Sequence, residues 1–332
     1  MKAIQIDDQK LSWTETTAPQ PGPGEVAIRI RATAINRADL AQRAGVYPPP
    51  PGASEILGLE CAGEIQQLGE GVTNWKIGDP VCALLSGGGY AETVVCPAGH
   101  LLPIPAGFSF EQAAALPEVF ATAWLNIFQE AALQPGESVL LHAGASGVGT
   151  AAIQLCHHFG NPCFVTVGSQ QKLDYCIELG ADAGFDRNSS DHTTDHTSES
   201  SFASAVKTWR NGKGVDVILD PVGGNYLAGN MSCMAVNARL VLIGLMGGAS
   251  ADISLGLLMV KRFRLIGSTL RSRTDLQKTQ LIQSLREQVW PLFDSGELKP
   301  IIHKTMPITE AEQGFALVDS NQTIGKVVLT IP

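Results

Sequence analysis

Along its first third the chain alternates short apolar runs with turn-forming punctuation. EVAIRIRATAI and AETVVC are broken by PQPGPGE, GEGVTNWKIGD and SGGG, a pattern that predicts strands joined by turns. The period then changes. SFEQAAAL opens a helix with Ser109 as its cap and Gln112 three residues on. Pro117 interrupts it, and EVFATAWLNIFQEAAL carries an apolar helical face until Pro135-Gly136 stops it. This segment is the expected hinge between two architectures.

From residue 138 strands alternate with helices: SVLLH then VGTAAIQLCHHFG, CFVTV then QQKLDYCIELG, VDVILD and a helix, RLVLIG, and FRLIGS. That alternation predicts βαβ units on a parallel sheet. A helix over 275–293 and a closing strand, GKVVLTI, return to mixed character and are expected to rejoin the first domain. No internal repeat is visible. The fold class is therefore α/β.

Length agrees with two domains, since 332 residues exceed the usual ~150 residues of one. No apolar run reaches the ~18–20 residues that cross a bilayer, and MKAIQIDDQK lacks the pattern of a signal peptide. A soluble, cytoplasmic protein is expected. Seven cysteines without a C-x-x-C pair fit reduced core thiols better than a disulfide framework. A formal net charge of −9 argues against a nucleic-acid or anionic-membrane surface.

The sharpest local motif follows the strand SVLLH: Gly144-Ala145-Ser146-Gly147-Val148-Gly149, and then a helix. Glycines let the backbone approach a pyrophosphate, and the helix start offers free N–H groups and the positive end of its dipole. The same glycines would also serve a purely structural tight turn, but the order of strand, turn and helix favours a nucleotide. NAD-selective domains of this kind place an Asp or Glu about 20 residues beyond the glycine turn. Here the first acidic residue after Gly149 is Asp174, already within the next helix, and the strand end reads Gly168-Ser169-Gln170-Gln171-Lys172. With Arg187 arriving after the following strand, a 2′-phosphate is favoured and NADPH is the expected cofactor. The one biased segment, RNSSDHTTDHTSES over 187–200, sets His192 and His196 four apart beside Asp191 and Asp195. It reads as a solvated loop, with a helical zinc site as the alternative.

Several widely spaced stretches together resemble the medium-chain dehydrogenase/reductase superfamily: INRADLAQRAGVYPPPPGASEILGLECAGEI, WKIGDPVCALL, GGGYAE, LHAGASGVGTAAIQL, VGSQQK, LIGLMGG and GKVVL. Within it the chain is most similar to the zinc-free quinone oxidoreductases of the tumour-suppressor-inducible type. The resemblance implies a GroES-like, mostly-β catalytic domain, residues 1–117 and 271–332. It also implies a Rossmann doubly wound NADPH-binding domain, residues 118–270. Hydride transfer from NADPH to a quinone in the interdomain cleft is the implied reaction, in a homodimer or homotetramer built through the Rossmann domain.

In zinc-dependent relatives the catalytic ligands fall at the positions of Asn36, Leu59 and Glu118. Leu59 has no donor atom and Asn36 is a poor ligand, whereas open-site zinc needs a set such as cysteine, histidine and cysteine. No metal is expected. Glu60, within GLECAG, reads as a buried carboxylate paired with a neighbouring donor. The resemblance assigns Asn36, Asp39 and Tyr47 to the substrate cleft, with Tyr47 either meeting the quinone carbonyl or packing on the proline rim. Ser146 joins them as a catalytic candidate and also reads as a helix cap. For the cofactor it implies Asn36 and Thr122 near the nicotinamide, Gly144, Ser146, Gly147 and Val148 at the pyrophosphate, and Gly168, Ser169, Gln170, Lys172 and Arg187 at the adenosine ribose. The backbone of Ile243, Gly244, Leu245 and Met246, and of Ser268, Thr269 and Leu270, takes the carboxamide side, and Lys326 reaches in from the tail. Reduction of an alkenal or enone needs the same hydride geometry and is the alternative within the class. A non-catalytic NADPH-binding protein, crystallin-like or RNA-binding, is the alternative outside it.

Overall fold

A computed structural model describes residues 1–189 and 201–332, so His192, His196, Asp191 and Asp195 lie outside the described residues. In chain order the strands are β1 (Lys2–Asp7), β2 (Lys10–Glu15), β3 (Glu25–Ala34), β4 (Glu60–Leu68), β5 (Pro80–Leu84), β6 (Thr93–Pro97), β7 (Leu101–Pro103), β8 (Val139–His142), β9 (Cys163–Val167), β10 (Ala183–Asp186), β11 (Val215–Asp220), β12 (Met234–Leu242), β13 (Arg264–Gly267), β14 (Ile302–Pro307) and β15 (Lys326–Thr330). They fall into two units, residues 1–121 with 270–332, and residues 122–269. The crossings thus come after Ala121 and Thr269 rather than after residues 117 and 270, and Leu270 groups with the first unit.

The first unit is built on a sheet ordered β14-β15-β3-β4-β5-β7, with β6 also pairing β3. Its pairings are antiparallel except β14 with β15. The apolar residues of EVAIRIRATAI supply the middle of the core, where Val26, Ile28 and Ile30 pack with Ile65, Val81, Phe315, Val327 and Leu329. The tail enters this core through β15, whose Val328 pairs Ala34.

The second unit is a six-stranded sheet in the order β10-β9-β8-β11-β12-β13, parallel throughout. Counted within the unit, the strands run third, second, first, fourth, fifth, sixth. This is the doubly wound order, and its winding reverses between β8 and β11, where such sheets take their ligands at the strand C-termini.

Two sequence expectations are corrected. Pro117 begins the helix Pro117–Ala123 instead of interrupting one; at that position its missing N–H costs no ladder bond. The helix then widens to a π turn over Trp124–Glu130. There Asn126 Nδ2 takes the Thr122 carbonyl at 2.7 Å, and the Ala131 N–H closes on the Asn126 carbonyl five residues back at 3.1 Å. Side-chain competition for a ladder carbonyl is a common cause of such widening. The helix expected over 275–293 is two, Asp275–Gln288 and Trp290–Asp294, with Pro291 in the first turn of the second. The Ser109 and Gln112 box forms as expected.

A guanidinium clamps the entry to the second unit. Arg239 on β12 donates from Nε to the Ala131 carbonyl (2.8 Å), from Nη2 to the Ala132 carbonyl (3.2 Å), and from Nη1 and Nη2 to both oxygens of Glu137. Replacing Arg239 with Leu keeps most of its volume and strips all four bonds. Stability measured by denaturant titration is expected to fall by about 1.5–3 kcal/mol, the range for a hydrogen bond to a charged group. Arg239→Lys is expected to recover less than half of it, because an ammonium cannot reproduce the planar fork.

Candidate active site

The first unit carries a carboxylate with no exposed surface, Glu60, at the start of β4. Glu60 Oε1 accepts from Asn36 Nδ2 at 2.9 Å and from Lys326 Nζ at 2.8 Å, and Oε2 accepts from the Glu118 N–H at 2.9 Å. Lys326 also donates to the Ile35 carbonyl (2.7 Å) and to Asn36 Oδ1 (2.6 Å), so its three hydrogens all have acceptors. These contacts settle how the Asn36 amide lies: its oxygen faces the ammonium and its nitrogen the carboxylate. Lys326 does reach Asn36 from the tail, and its charge is consumed there.

Asp39, third in the helix Arg37–Arg43, holds the same corner from behind. Its oxygens accept from the Asn36 N–H (2.8 Å), the Gly58 N–H (3.1 Å) and the Tyr90 hydroxyl (3.0 Å). Gly58 has φ +103, and a Cβ there would stand 2.6 Å from the Tyr90 ring, so only glycine brings its N–H to Asp39. Burial pushes the Asp39 carboxyl up to about 6, opposed by those donors and by Lys326. Glu118 is pushed up to about 8, first by burial and then by the charge of Glu60. Leu59 is 1% exposed and offers no donor. Among the described residues no group of three or more His, Cys, Asp or Glu side chains is placed to hold a metal ion. Tyr47 is half-buried, with the Arg271 guanidinium 5.6 Å over its ring.

In the second unit β8 runs into the glycine turn at the point where the winding reverses. A Cβ on Gly144 would meet Val165 at 2.6 Å, and one on Gly149 would meet the Gly144 carbonyl at 2.4 Å. Packing alone therefore demands both glycines. Ser146 caps the helix Gly147–His158 by accepting from the Gly149 N–H at 3.1 Å, while the first-turn N–H groups of Gly147 and Val148 lie outside the helical ladder.

At the ends of β9 and β10 the register Asp186 to Val167 sets Arg187 beside Gly168, its Nη2 only 3.3 Å from where a Gly168 Cβ would be. Ser169 caps the next helix through the Lys172 N–H, and Gln170 turns its amide to Asp174. Beyond β12, Ile243 and Met246 donate to the Asp220 and Pro221 carbonyls, Leu245 and Met246 are exposed, and Gly244 packs against the Pro221 carbonyl. Ser268 follows β13 with its hydroxyl buried and without a hydrogen-bond partner; Thr269 is exposed. Thr122 is buried, its carbonyl held by Asn126.

Sequence reasoning missed a buried polar chain beneath this turn. His142 bridges Thr166 Oγ1 (2.9 Å) and Asn230 Oδ1 (2.7 Å), and Asn230 Nδ2 donates to Asp220 (2.8 Å). Asp220 in turn accepts from the Val222 and Gly223 N–H groups. Since Asn230 presents its oxygen, His142 Nε2 carries the hydrogen and Nδ1 accepts from Thr166. Burial lowers the His142 pKa, which keeps the ring neutral. Its only trace in sequence is the histidine closing SVLLH.

The family model for the alcohol dehydrogenase GroES-like domain matches residues 22–106, and that for zinc-binding dehydrogenases matches residues 147–286. The chain is 31% identical to the human synaptic vesicle membrane protein VAT-1 homolog, over 97% of this chain and 83% of that protein. The chain belongs to the medium-chain dehydrogenase/reductase family. It is also 31% identical to the phthioceranic/hydroxyphthioceranic acid synthase of Mycobacterium tuberculosis, over 94% of this chain but only 14% of that protein's length. Among solved structures, a Pseudomonas syringae quinone oxidoreductase superposes with a TM-score of 0.85 at 29% identity, covering 99% of both chains. The JamJ enoyl reductase gives 0.85 at 26%, covering 100% of this chain and 99% of its own. A mycobacterial protein complexed with NADPH gives 0.87 at 26%, with both chains fully covered.

The chain has the GroES-like and Rossmann architecture of this family, whose Rossmann units take a nicotinamide cofactor. Its second unit fits such a group, because the glycine turn sits at the reversal of the sheet and Ser268 keeps an unsatisfied buried hydroxyl. No helix among the described residues is long and apolar enough to cross a membrane.

The raised Glu118 carboxyl makes stability depend on pH. Folded Glu118 stays protonated up to about 8, against an ordinary value of 4.5, so between these the folded state binds the extra proton and stability falls as pH rises. Glu118→Gln cannot ionise and is expected to remove that slope, at most about 1.4 kcal/mol per pH unit for one proton. Denaturant titrations at pH 5 and pH 9 check this: the variant should gain on the native chain at pH 9, and an equal difference at both values would contradict it.

Proposed function

We propose that the chain is a zinc-independent NADPH:quinone oxidoreductase. One observation carries the reading: at the positions where zinc-dependent relatives hold their ligands, Asn36 is bonded at both ends to Lys326 and Glu60, and Leu59 is a buried alkyl group. That donor set does not fit zinc. Without a Lewis acid the acceptor must take hydride readily, as a quinone does on becoming aromatic.

When bound, NADPH supplies the hydride. The chain's own residues orient and exclude water. Asn36 is the residue assigned to the nicotinamide side, held rigid by Lys326, Glu60 and Asp39; Lys326 and Asp39 act through it as positioning residues. Burial and the nearby Glu118 raise the Tyr47 pKa, so its hydroxyl stays protonated at neutral pH and serves as a hydrogen-bond donor to an oxygen that gains negative charge. The bond from Gly149 to Ser146 supports a capping role for that serine, with a pyrophosphate contact in addition. In the reaction the quinone gains two electrons and two protons, one arriving as hydride and one from solvent. The outer edge of β13, unpaired among the described residues, with Leu255, Met259 and Val260 exposed on the helix Leu255–Lys261, supports assembly as a homodimer or homotetramer through this unit. The likeness to an enoyl reductase structure favours a second reading, reduction of an α,β-unsaturated carbonyl.

Turnover of NADPH with ortho-quinones, para-quinones and alkenals decides between them. Quinones are expected to show the higher kcat/KM, and reduction of alkenals alone would replace the quinone reading with the second. Preference for NADPH is assigned to Lys172 and to Arg187 beside Gly168. The double variant Lys172→Ala with Arg187→Ala is expected to lose at least tenfold in kcat/KM for NADPH, about 1.4 kcal/mol, with little change for NADH. A preference that survives would place the phosphate elsewhere.

A further inference from the structure

Two buried cations of the first unit have no counter-ion in contact among the described residues. Arg271 is 4% exposed and Lys278 2%, and both bind Ser86: Arg271 Nε donates to its carbonyl at 2.8 Å, Lys278 Nζ to its hydroxyl at 2.5 Å. Arg271 Nη1 reaches only the Tyr47 carbonyl, at 3.4 Å, and Nη2 is buried without any hydrogen bond. Among the described residues no carboxylate forms an ion pair with either cation within 4.0 Å.

The carboxylates whose charge reaches the pair are Asp39, Glu118 and Asp275. Asp39 is already occupied by Asn36, Gly58 and Tyr90. Glu118, pushed up to about 8, is protonated at neutral pH, and Asp275 is 74% exposed. Burial accordingly lowers the pKa of both cations.

Neighbouring positive charges repel, and a buried guanidinium nitrogen without an acceptor is costly. A planar guanidinium with a free N–H edge, stacked on an aromatic ring, is suited to a carboxylate or sulfonate carried by a planar ligand. We infer that Arg271, Lys278 and Tyr47 form a binding site for an acidic aromatic ligand. Its anionic group accepts from Arg271 Nη2 and balances Lys278, while its ring lies near that of Tyr47. That this ligand is the hydride acceptor rests on the reductase reading; the anion site does not.

Calorimetric titration of the full chain with 2-naphthoate and its neutral analogue 2-naphthamide tests the site directly. The carboxylate is expected to bind at least tenfold more tightly, with a preference that added salt reduces. Arg271→Gln should abolish that preference, and Arg271→Lys should restore part of it. Equal binding of the two probes, no binding of the carboxylate, or a preference that survives in Arg271→Gln overturns the site. Should Arg271→Gln fail to fold, Arg271→Lys and Lys278→Met carry the same comparison, each expected to narrow the preference, and an unchanged preference in both overturns it.

Two further arms identify the source of the anion. NADPH affinity is expected to be equal in the native chain and Arg271→Gln; a tenfold loss would give the anion to a cofactor phosphate and overturn the acceptor assignment. The native chain should favour 1,2-naphthoquinone-4-sulfonate over 1,2-naphthoquinone, and Arg271→Gln should not; an undiminished preference in the variant overturns the acceptor assignment. If both quinones are inert while the naphthoate preference holds, the quinone reading fails and the anion site stands.

Discussion

A carboxylate with no access to water is stable only when its lone pairs are met by donors, and Glu60 imposes that requirement on the whole of the first unit. It draws in the ammonium of Lys326 from the first residue of β15, the amide of Asn36 from the cap of the helix Arg37–Arg43, and the N–H of Glu118 from the first turn of the helix Pro117–Ala123. Four separated segments are thereby tied at one point. The C-terminal strand is locked into the sheet by the same ion pair that aligns Asn36. Removing either partner would leave the other charged and buried.

Electrostatics in this region is collective. Burial and then the charge of Glu60 raise Glu118, burial and then Glu118 raise Tyr47, Arg271 opposes that rise, and Lys326 lowers both Asp39 and Glu118. Groups coupled this way titrate as a set, and single substitutions there will not add. Carboxyls raised by burial, as Asp39 and Glu118 are, are commonly associated with functional sites.

The second unit satisfies a different constraint. Its glycine turn must pass close to β9 and then reverse into a helix, and Gly144 and Gly149 are required by that packing whether or not a phosphate binds. The cofactor reading therefore gains more from where the turn lies, at the reversal of the sheet, and from the cation placed beside Gly168, than from the glycines. The chain from His142 through Asn230 to Asp220 links β8 and β11, the two strands flanking that reversal, and holds the N–H groups of Val222 and Gly223.

What the sequence by itself determined is what short-range physics governs. The capping box of Ser109 and Gln112, the strands of the parallel sheet and the glycine turn all depend on residues within a few positions of each other, and the absence of an acid at Gly168 is visible on inspection. Pro117 was legible as a helix signal, though not whether it ends a helix or begins one, since both fit its missing N–H. Neither the pairing of Glu60 with Lys326 nor the convergence of Arg271 and Lys278 on Ser86, 185 and 192 residues away, has a local signature. Only tertiary structure decided those contacts, because they arise when sheet registers bring distant strands together and burial leaves each charge no partner except the ones the fold delivers.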